Sequence, residues 1–233
     1  MEAIVLAGGF GTRLAAQLDG VPKPMAPVAG RPFLEILLAQ LRRGGCSRVL
    51  LSVGHLHQVI RDHFGAAFHG MQIDYVIEAA PLGTGGAIRV ALAQASEDSA
   101  LVLNGDTFVD ADYAAMLRFH AAEGAAVTIA VVHQPDIARY GSVAIEGNRI
   151  ERFDEKGRSG PGWINAGAYV LSKDLRWPAG LQERFSIERD FFVPEVARLR
   201  PAAYKVNGYF LDIGIPDDLD RAQTELGRFV ASR

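Results

Sequence analysis

The start of the chain constrains the fold most, because an apolar run there ends abruptly in a cluster of glycines. Residues 3–14 read Ala-Ile-Val-Leu-Ala-Gly-Gly-Phe-Gly-Thr-Arg-Leu, and Pro-Lys-Pro follows at 22–24. The apolar residues predict a buried strand, and the glycines let the backbone take positive φ and let a ligand approach closely. Backbone N–H groups in such a turn, placed before a helix, form a cradle for anionic oxygens. With Arg13 and Lys23 as nearby positive charges, the stretch predicts a polyphosphate ligand.

Two familiar phosphate-binding motifs fit this stretch poorly. A P-loop places a lysine directly after its last glycine, whereas the residue directly after Gly11 is Thr12. The dinucleotide fingerprint begins correctly at Gly9 and Gly11, but its third glycine position is Leu14. The next predicted strand, 48–53, is followed by Gly54 rather than by an acidic residue that would bind a ribose hydroxyl.

Charge and composition exclude several classes of function. Of the 233 residues, 49% are hydrophobic and 22% are charged, as in a soluble globular protein. The net charge of −3 and the pI near 6.1 give no electrostatic basis for binding nucleic acid or an anionic membrane. Any positive potential must therefore be local, which suits a small phosphorylated ligand.

Cysteine usage and hydropathy bear on the compartment. The single Cys46 excludes an internal disulfide and, without clustered histidines, argues against a structural zinc site. The N-terminus enters a strand directly, without the pattern of a signal peptide, and no apolar run approaches transmembrane length. We expect a cytoplasmic protein, and the sequence leaves homo-oligomerisation open.

Strands and helices alternate through the first half of the chain. After the first strand, strands are predicted at 48–53, 72–77 and 100–104, and helices at 31–43, 56–64 and 86–94. This alternation predicts a parallel sheet covered on both faces, and such sheets bind ligands at the carboxyl ends of their strands. Because Gly8, Glu78 and Asp106 each follow a predicted strand, we expect them to converge on one edge.

The second half has a less regular pattern. Strands are predicted at 125–132, 142–146, 149–153, 164–171 and 204–210, and helices at 185–198, with a break at Pro194, and at 217–227. No linker, repeat or low-complexity segment interrupts the chain. The sequence therefore predicts one α/β domain.

Two aspartates each come at the end of an apolar run, next to a predicted turn. Asp106 ends the run Leu-Val-Leu-Asn-Gly-Asp, and Asp212 lies in Tyr-Phe-Leu-Asp-Ile-Gly. A carboxylate in such surroundings must be solvated, paired or bound to a metal, because burying it alone is costly. Two carboxylates on turns suit Mg²⁺, which also takes water and phosphate oxygens. We interpret the nearby Asp110 and Asp112 as loop and helix-cap residues.

These motifs together resemble the sugar-1-phosphate nucleotidyltransferases, over nearly the whole chain. The resemblance rests on Leu-Ala-Gly-Gly-Phe-Gly-Thr-Arg-Leu with Pro-Lys-Pro, on Pro-Leu-Gly-Thr-Gly-Gly-Ala and Leu-Asn-Gly-Asp-Thr, and on Arg-Tyr-Gly and Ile-Asn-Ala-Gly. It implies a Rossmann-like three-layer α/β/α sandwich with a mostly parallel central sheet, the nucleotide-diphospho-sugar transferase fold. It also implies one domain over 1–233, with a nucleotide-binding half (1–125) and a sugar-phosphate-binding half (126–233).

The resemblance assigns the first half to a nucleoside triphosphate. The implied nucleotide-binding residues are Leu6, Ala7, Gly8, Gly9, Gly11, Thr12, Arg13, Lys23, Glu78, Pro81, Gly83 and Thr84. Arg13, Lys23 and Asp106 are the implied catalytic residues, and Asp106 and Asp212 the implied Mg²⁺ ligands. Glu78 matches a base-contacting position, where a carboxylate could accept two hydrogen bonds from guanine or one from uracil.

The resemblance assigns part of the second half to a sugar 1-phosphate. The implied sugar-phosphate residues are Asn104, Tyr140, Gly141, Glu155, Lys156 and Asn165. Glu155 would bind hydroxyls and Lys156 the phosphate, while Gly141 and Asn165 would shape the pocket.

Within the family, the motif combination most resembles the D-glycero-α-D-manno-heptose 1-phosphate guanylyltransferases. This implies GTP and that heptose phosphate as substrates, and GDP-heptose for surface polysaccharide as product. N-acetylmuramate 1-phosphate uridylyl transfer, and nucleotidyl transfer to mannose or glucose 1-phosphate, stay open as alternatives. A non-catalytic domain that binds nucleotide or sugar phosphate as a regulator also stays open.

Overall fold

The computed structural model describes residues 1–9, 14, 18 and 20–230. The strands are β1 (Glu2–Leu6), β2 (Pro27–Val28), β3 (Arg31–Pro32), β4 (Arg48–Val53), β5 (Ala67–Phe68), β6 (Met71–Ile77), β7 (Ser99–Asn104), β8 (Thr107–Val109), β9 (Val127–Gln134), β10 (Ser142–Glu146), β11 (Arg149–Asp154), β12 (Gly162–Ser172), β13 (Ala202–Val206) and β14 (Phe210–Asp212). The helices are α1 (Phe33–Arg43), α2 (His57–Phe64), α3 (Gly83–Ala93), α4 (Tyr113–Glu123), α5 (Val193–Leu199), α6 (Pro216–Glu225) and α7 (Gly227–Val230). Among these helices, none is both long enough and apolar enough to cross a membrane.

A ten-stranded sheet runs through the centre in the order β10-β11-β13-β9-β12-β7-β1-β4-β6-β5. Strand β1 pairs in parallel with β4 and β7, and β4 pairs in parallel with β6. In the second half, β12 runs antiparallel to both β7 and β9, whereas β13 is parallel to β9. The first half is parallel as predicted, apart from the antiparallel edge strand β5, but the sheet as a whole is mixed rather than mostly parallel, because most strands of the second half pair antiparallel.

Apolar side chains cover both faces of this sheet. Along β1, Ala3 and Val5 belong to one buried cluster and Ile4 to the other, because successive side chains of a strand point to opposite faces. Leu37 of α1 packs in the first cluster, and Ile88 of α3 packs in the second. Two separate cores on either side of one sheet give the three layers that the sequence predicts.

The carboxyl ends of the first-half strands are held together by backbone hydrogen bonds. The amide of Ala7 donates to the Ser52 carbonyl over 2.7 Å, and the amide of Gly105 donates to the Leu6 carbonyl over 3.0 Å. A Cβ at Gly105 would lie 2.4 Å from that Leu6 oxygen, so only glycine fits at this junction. The turns after β1, β4 and β7 therefore meet at one edge of the sheet.

Two predicted elements of the second half differ from the structure. The single strand predicted at 204–210 is interrupted: β13 ends at Val206, and Phe210 begins β14, which pairs with β8 in a separate sheet. At Gly208 a Cβ would lie 1.9 Å from the Asp110 carbonyl oxygen, so the chain turns tightly against the loop after β8. The helix predicted at 185–198 begins with a π-helical turn, Ile187–Phe192, and Pro194 lies in the first turn of α5.

Candidate active site

A cavity of ≈ 320 Å³ opens at the edge of the sheet where these turns meet. Most of the predicted site residues of the first half lie in its wall: Leu6, Gly8, Gly9, Lys23, Glu78, Pro81, Gly83, Thr84, Asn104 and Asp106. Pro24, Ala87, Gly105 and Arg184 line the cavity as well, and the sequence prediction did not include them. The wall thus combines glycine backbone with side chains of both charges.

Gly8 lies directly against the carboxylate of Glu78. A Cβ on Gly8 would be 2.7 Å from Glu78 Oε1 and 3.2 Å from the Gly54 amide nitrogen, so a side chain there would displace the carboxylate. Ser52 Oγ donates to Glu78 Oε1 and the Leu82 amide donates to Oε2, each over 3.1 Å. Because a carboxylate oxygen can accept a second hydrogen bond, Glu78 is held in place and can still accept from a base in the cavity.

The Lys23 ammonium forms an ion pair with Asp106. Lys23 Nζ lies 2.6 Å from Asp106 Oδ2, and the two side chains are 9% and 36% exposed. Lys23 begins a 3₁₀ turn between Pro22 and Pro24, whose rings restrict the backbone there. Thr107 Oγ1 donates to the other Asp106 oxygen over 3.2 Å. A buried cation therefore lies next to a carboxylate that a ligand can reach.

Asp212 is brought next to the Asp106 turn by the pairing of β14 with β8. Asp212 lies opposite Thr107 in that ladder, and the Ile213 amide donates to the Asp106 carbonyl over 2.9 Å. Carboxylates are hard oxygen ligands, and Mg²⁺ typically takes one or two of them together with water and phosphate oxygens. In the described part of the chain, no cluster of three acidic, histidine or cysteine side chains forms a complete cation site. Asp106 and Asp212 therefore fit a Mg²⁺ site that substrate phosphates would complete.

The turn at the start of α3 is packed against the chain around Phe185. Gly83 has a φ of +67°, and a Cβ on it would lie 2.6 Å from the Phe185 carbonyl oxygen. The Gly85 amide donates to that oxygen over 2.9 Å, and Thr84 Oγ1 accepts from the Ile187 amide over 3.0 Å. The predicted nucleotide turn is thus fixed to the segment that leads into the π-helical turn.

Several predicted sugar-phosphate residues lie around the ends of β10 and β11. Glu155 and Lys156 directly follow β11, and both are exposed. The Tyr140 ring packs edge-on against Phe210 at 5.8 Å, and burial raises the pKa of its hydroxyl group. Gly141 immediately precedes β10, where a Cβ would be 3.1 Å from a carbonyl oxygen of β11. None of these four predicted residues lines the cavity of the first half.

Asn165 belongs to a hydrogen-bond network that reaches the cavity wall. Its Nδ2 donates to the Tyr169 hydroxyl over 3.1 Å and to Glu188 Oε1 over 2.8 Å, and its Oδ1 accepts from the Gly167 amide over 3.0 Å. Gly167 has a φ of +70°, and a Cβ on it would lie 2.6 Å from Asn104 Nδ2. The network therefore connects the second half to a residue that lines the cavity.

Four predicted nucleotide-binding residues are not among those described in the cavity wall, and one arginine of the wall was not predicted. Ala7 is buried, and its amide belongs to the sheet edge rather than to the cavity wall. Gly11, Thr12 and Arg13 lie outside the described residues. Arg184 had no signal in the sequence, because it is an exposed arginine in a stretch without a motif. Only the packing of the 182–187 segment on α3 brings it to the cavity.

Comparison with known proteins identifies the family. The model of the Nucleotidyl transferase family matches residues 2–228. The chain belongs to this family. It is 40% identical over 230 residues to the D-glycero-alpha-D-manno-heptose 1-phosphate guanylyltransferase of Aneurinibacillus thermoaerophilus, with 99% of this chain and 100% of the relative covered. It is 38% identical to the mannose-1-phosphate guanylyltransferase of Mycobacterium tuberculosis, with 99% of this chain and 66% of the relative covered.

A solved structure shows the same architecture. HddC from Yersinia pseudotuberculosis, complexed with GMP-PN, superposes with a TM-score of 0.82 at 35% identity, covering 95% of this chain and 97% of that one. The family recognised from the motifs and the Rossmann-like three-layer fold are therefore confirmed. The roles of individual residues, and the division of the nucleotidyl transferase domain at residue 125, stay predictions.

Proposed function

We propose that the protein transfers GMP from GTP to D-glycero-α-D-manno-heptose 1-phosphate, forming GDP-heptose for surface polysaccharide and releasing pyrophosphate. The observation that carries the reaction class is the ion pair between the buried Lys23 and the partly exposed Asp106, in a cavity between two glycine-rich turns. The choice of substrates is supported by the 40% identity to a heptose 1-phosphate guanylyltransferase over the full length of both chains. Because GTP is the substrate, we assign the activity to the cytoplasm.

The chemistry needs no nucleophile from the protein. An oxygen of the sugar phosphate forms the new bond to the α-phosphorus, and the broken bond to the β-phosphate leaves its electron pair on pyrophosphate. The attacking phosphate is already anionic near neutral pH, so the protein acts by positioning and by neutralising charge. Lys23 would stabilise charge at the α-phosphate, and Asp106 with Asp212 would hold Mg²⁺. When bound, Mg²⁺ would neutralise phosphate charge.

Other charged and backbone groups complete the proposed site. The amides of Gly8 and Gly9, together with Arg13, would hold the departing β- and γ-phosphates, because backbone N–H groups in a glycine-rich turn can bind anionic oxygens. Lys156 would orient the sugar phosphate, and Glu155 would accept hydrogen bonds from sugar hydroxyls.

The test is pyrophosphate release by the purified protein with Mg²⁺. Each of GTP, UTP, dTTP, CTP and ATP is paired with the 1-phosphates of D-glycero-α-D-manno-heptose, mannose, glucose and N-acetylmuramate. Release with GTP and the heptose phosphate supports the proposal. Faster release with another pair, such as GTP and mannose 1-phosphate, keeps the reaction class and changes the substrate. No release with any pair, despite nucleotide binding, would assign the domain a regulatory role.

Variants test whether the cavity is the site of this chemistry. We expect Lys23→Ala and Asp106→Ala each to lower turnover at least ~100-fold, as when one charge-stabilising donor is lost from an active site. Lys173→Ala, which removes an exposed lysine outside the cavity wall, is the matched control and should keep full turnover. Near-normal turnover in either cavity variant would contradict the assignment.

A further inference from the structure

The π-helical turn presents an exposed carboxylate to the second half of the site. Glu188 Oε1 accepts hydrogen bonds from Asn165 Nδ2 over 2.8 Å and from the Tyr169 hydroxyl over 3.4 Å. Both bonds reach the same oxygen, and in the described part of the chain nothing donates to Oε2. Turns of this π-helical kind occur frequently at functional sites. Glu188 therefore has one oxygen fixed by the protein and one available to a ligand.

The partners of Glu188 have little capacity left for a ligand of their own. Asn165 commits both of its N–H donors, to Tyr169 and to Glu188, and its oxygen accepts from Gly167. The Tyr169 side chain is fully buried. Of this group, Glu188 is the member with an exposed side chain and an open acceptor. The network therefore orients the Glu188 carboxylate rather than binding a ligand through Asn165.

The electrostatic surroundings connect Glu188 with the proposed sugar-phosphate residues. Although the side chain is accessible, the protein around it excludes enough water to raise the pKa of the carboxyl group. The positive charge of Lys156 acts on the same group and opposes that rise. The carboxylate thus lies within electrostatic range of the lysine that we assign to the sugar phosphate.

The turn that carries Glu188 is fixed to the nucleotide-binding half. The Ile187 amide donates to Thr84 Oγ1 over 3.0 Å, and the side chain of Asp190 accepts from the Ser186 amide over 2.7 Å. Thr84 lies in the wall of the cavity. The bond to Thr84 therefore sets the position of Glu188 relative to a bound nucleotide, while the Asp190–Ser186 bond stabilises the turn itself.

We propose that Glu188 is a specificity-determining residue that accepts a hydrogen bond from a hydroxyl group of the sugar 1-phosphate. Asn165 is then a positioning residue that orients Glu188, rather than a residue that contacts the sugar. This inference rests on the proposed function, because it requires a sugar phosphate at the same site.

Glu188→Gln separates ligand binding from a structural role. The glutamine oxygen can still accept from Asn165, whereas an amide nitrogen replaces the oxygen that would face the sugar. We expect the Kd of D-glycero-α-D-manno-heptose 1-phosphate, measured by calorimetry with a non-hydrolysable GTP analogue present, to rise at least about tenfold. The Kd of the GTP analogue itself should stay unchanged. Glu195→Gln, which removes an equal charge from α5, is the matched control and should change neither value.

Deoxy analogues of mannose 1-phosphate identify the hydroxyl group. The wild-type protein should bind one analogue distinctly more weakly than mannose 1-phosphate, and Glu188→Ala should bind that pair equally. An unchanged sugar-phosphate Kd in Glu188→Gln, or equal weakening of the GTP analogue, would overturn the inference. Pyrophosphate release by the wild-type protein is measured in parallel, so that loss of the proposed function is distinguished from loss of this contact.

Discussion

Removing either member of the Lys23–Asp106 pair should lower turnover, but the two removals should differ in their effect on stability. The Lys23 side chain is 9% exposed and that of Asp106 is 36% exposed. In Lys23→Met the Asp106 carboxylate can be hydrated in place, so we expect a loss of at most about 1 kcal/mol, as for exposed ion pairs. In Asp106→Ala the ammonium stays buried without its partner, which should cost about 3 kcal/mol.

Thermal unfolding without Mg²⁺ distinguishes these variants. For a chain of this length, 1 kcal/mol shifts the Tm by about 2–4 °C. We therefore expect Lys23→Met to lower the Tm by at most about 4 °C and Asp106→Ala by about 6–12 °C. The double variant, which no longer buries an unpaired charge, should recover most of the stability lost in Asp106→Ala. Equal losses in the two single variants, or a double variant no more stable than Asp106→Ala, would refute the reasoning from burial.

Other perturbations test buried polar groups and close packing. Glu2 is buried and pairs with Arg48, so Glu2→Ala should lower the free energy of unfolding in urea by about 2–3 kcal/mol. Burial lowers the pKa of His120, so below pH ~6.5 the unfolded chain binds a proton that the folded protein does not. The free energy of unfolding should therefore decline as the pH falls below ~6.5, and it should decline less steeply in His120→Gln. Gly105→Ala, whose Cβ would lie 2.4 Å from the Leu6 carbonyl oxygen, should destabilise the fold by about 1–3 kcal/mol and lower turnover.

Three strands of the first half, β1, β4 and β7, were predictable because they are buried on both faces. A mainly apolar run such as Arg48–Val53 has sharp ends in the sequence, and the observed β4 has the same bounds. Its side chains contribute to both cores, as Val49 and Leu50 show. Local composition was therefore enough to predict the bounds of this strand and its burial on both faces.

The second half was harder to predict because its elements depend on distant contacts. The apolar pattern of 204–210 continues through Gly208, and only the approach of the Asp110 carbonyl shows why the strand stops before it. Arg184 and Glu188 had no pattern of their own either. Their relation to the site follows from the packing of Phe185 on a turn about a hundred residues earlier.

The glycines of the α3 turn show how a correct local signal can have an unexpected cause. The resemblance assigned Gly83 to the nucleotide-binding residues. A Cβ on Gly83 would meet the Phe185 carbonyl oxygen at 2.6 Å, and one on Gly85 would meet the Phe185 ring at 2.1 Å. The glycines are therefore needed where the Phe185 backbone and ring pack against this turn.

This packing predicts that the two substrate subsites respond together to one substitution. Phe185→Ala removes the ring that packs against Gly85. The backbone hydrogen bonds that join the turn to residue 185 would then no longer be shielded by that ring. Because the 185–187 segment positions both Thr84 and Glu188, the KM values for GTP and for the sugar phosphate should both rise severalfold. Val90→Ala, which shortens an exposed apolar side chain on the same helix, is the control. A change in the GTP KM alone would show that the segment serves only the nucleotide side and that Glu188 is positioned by other contacts.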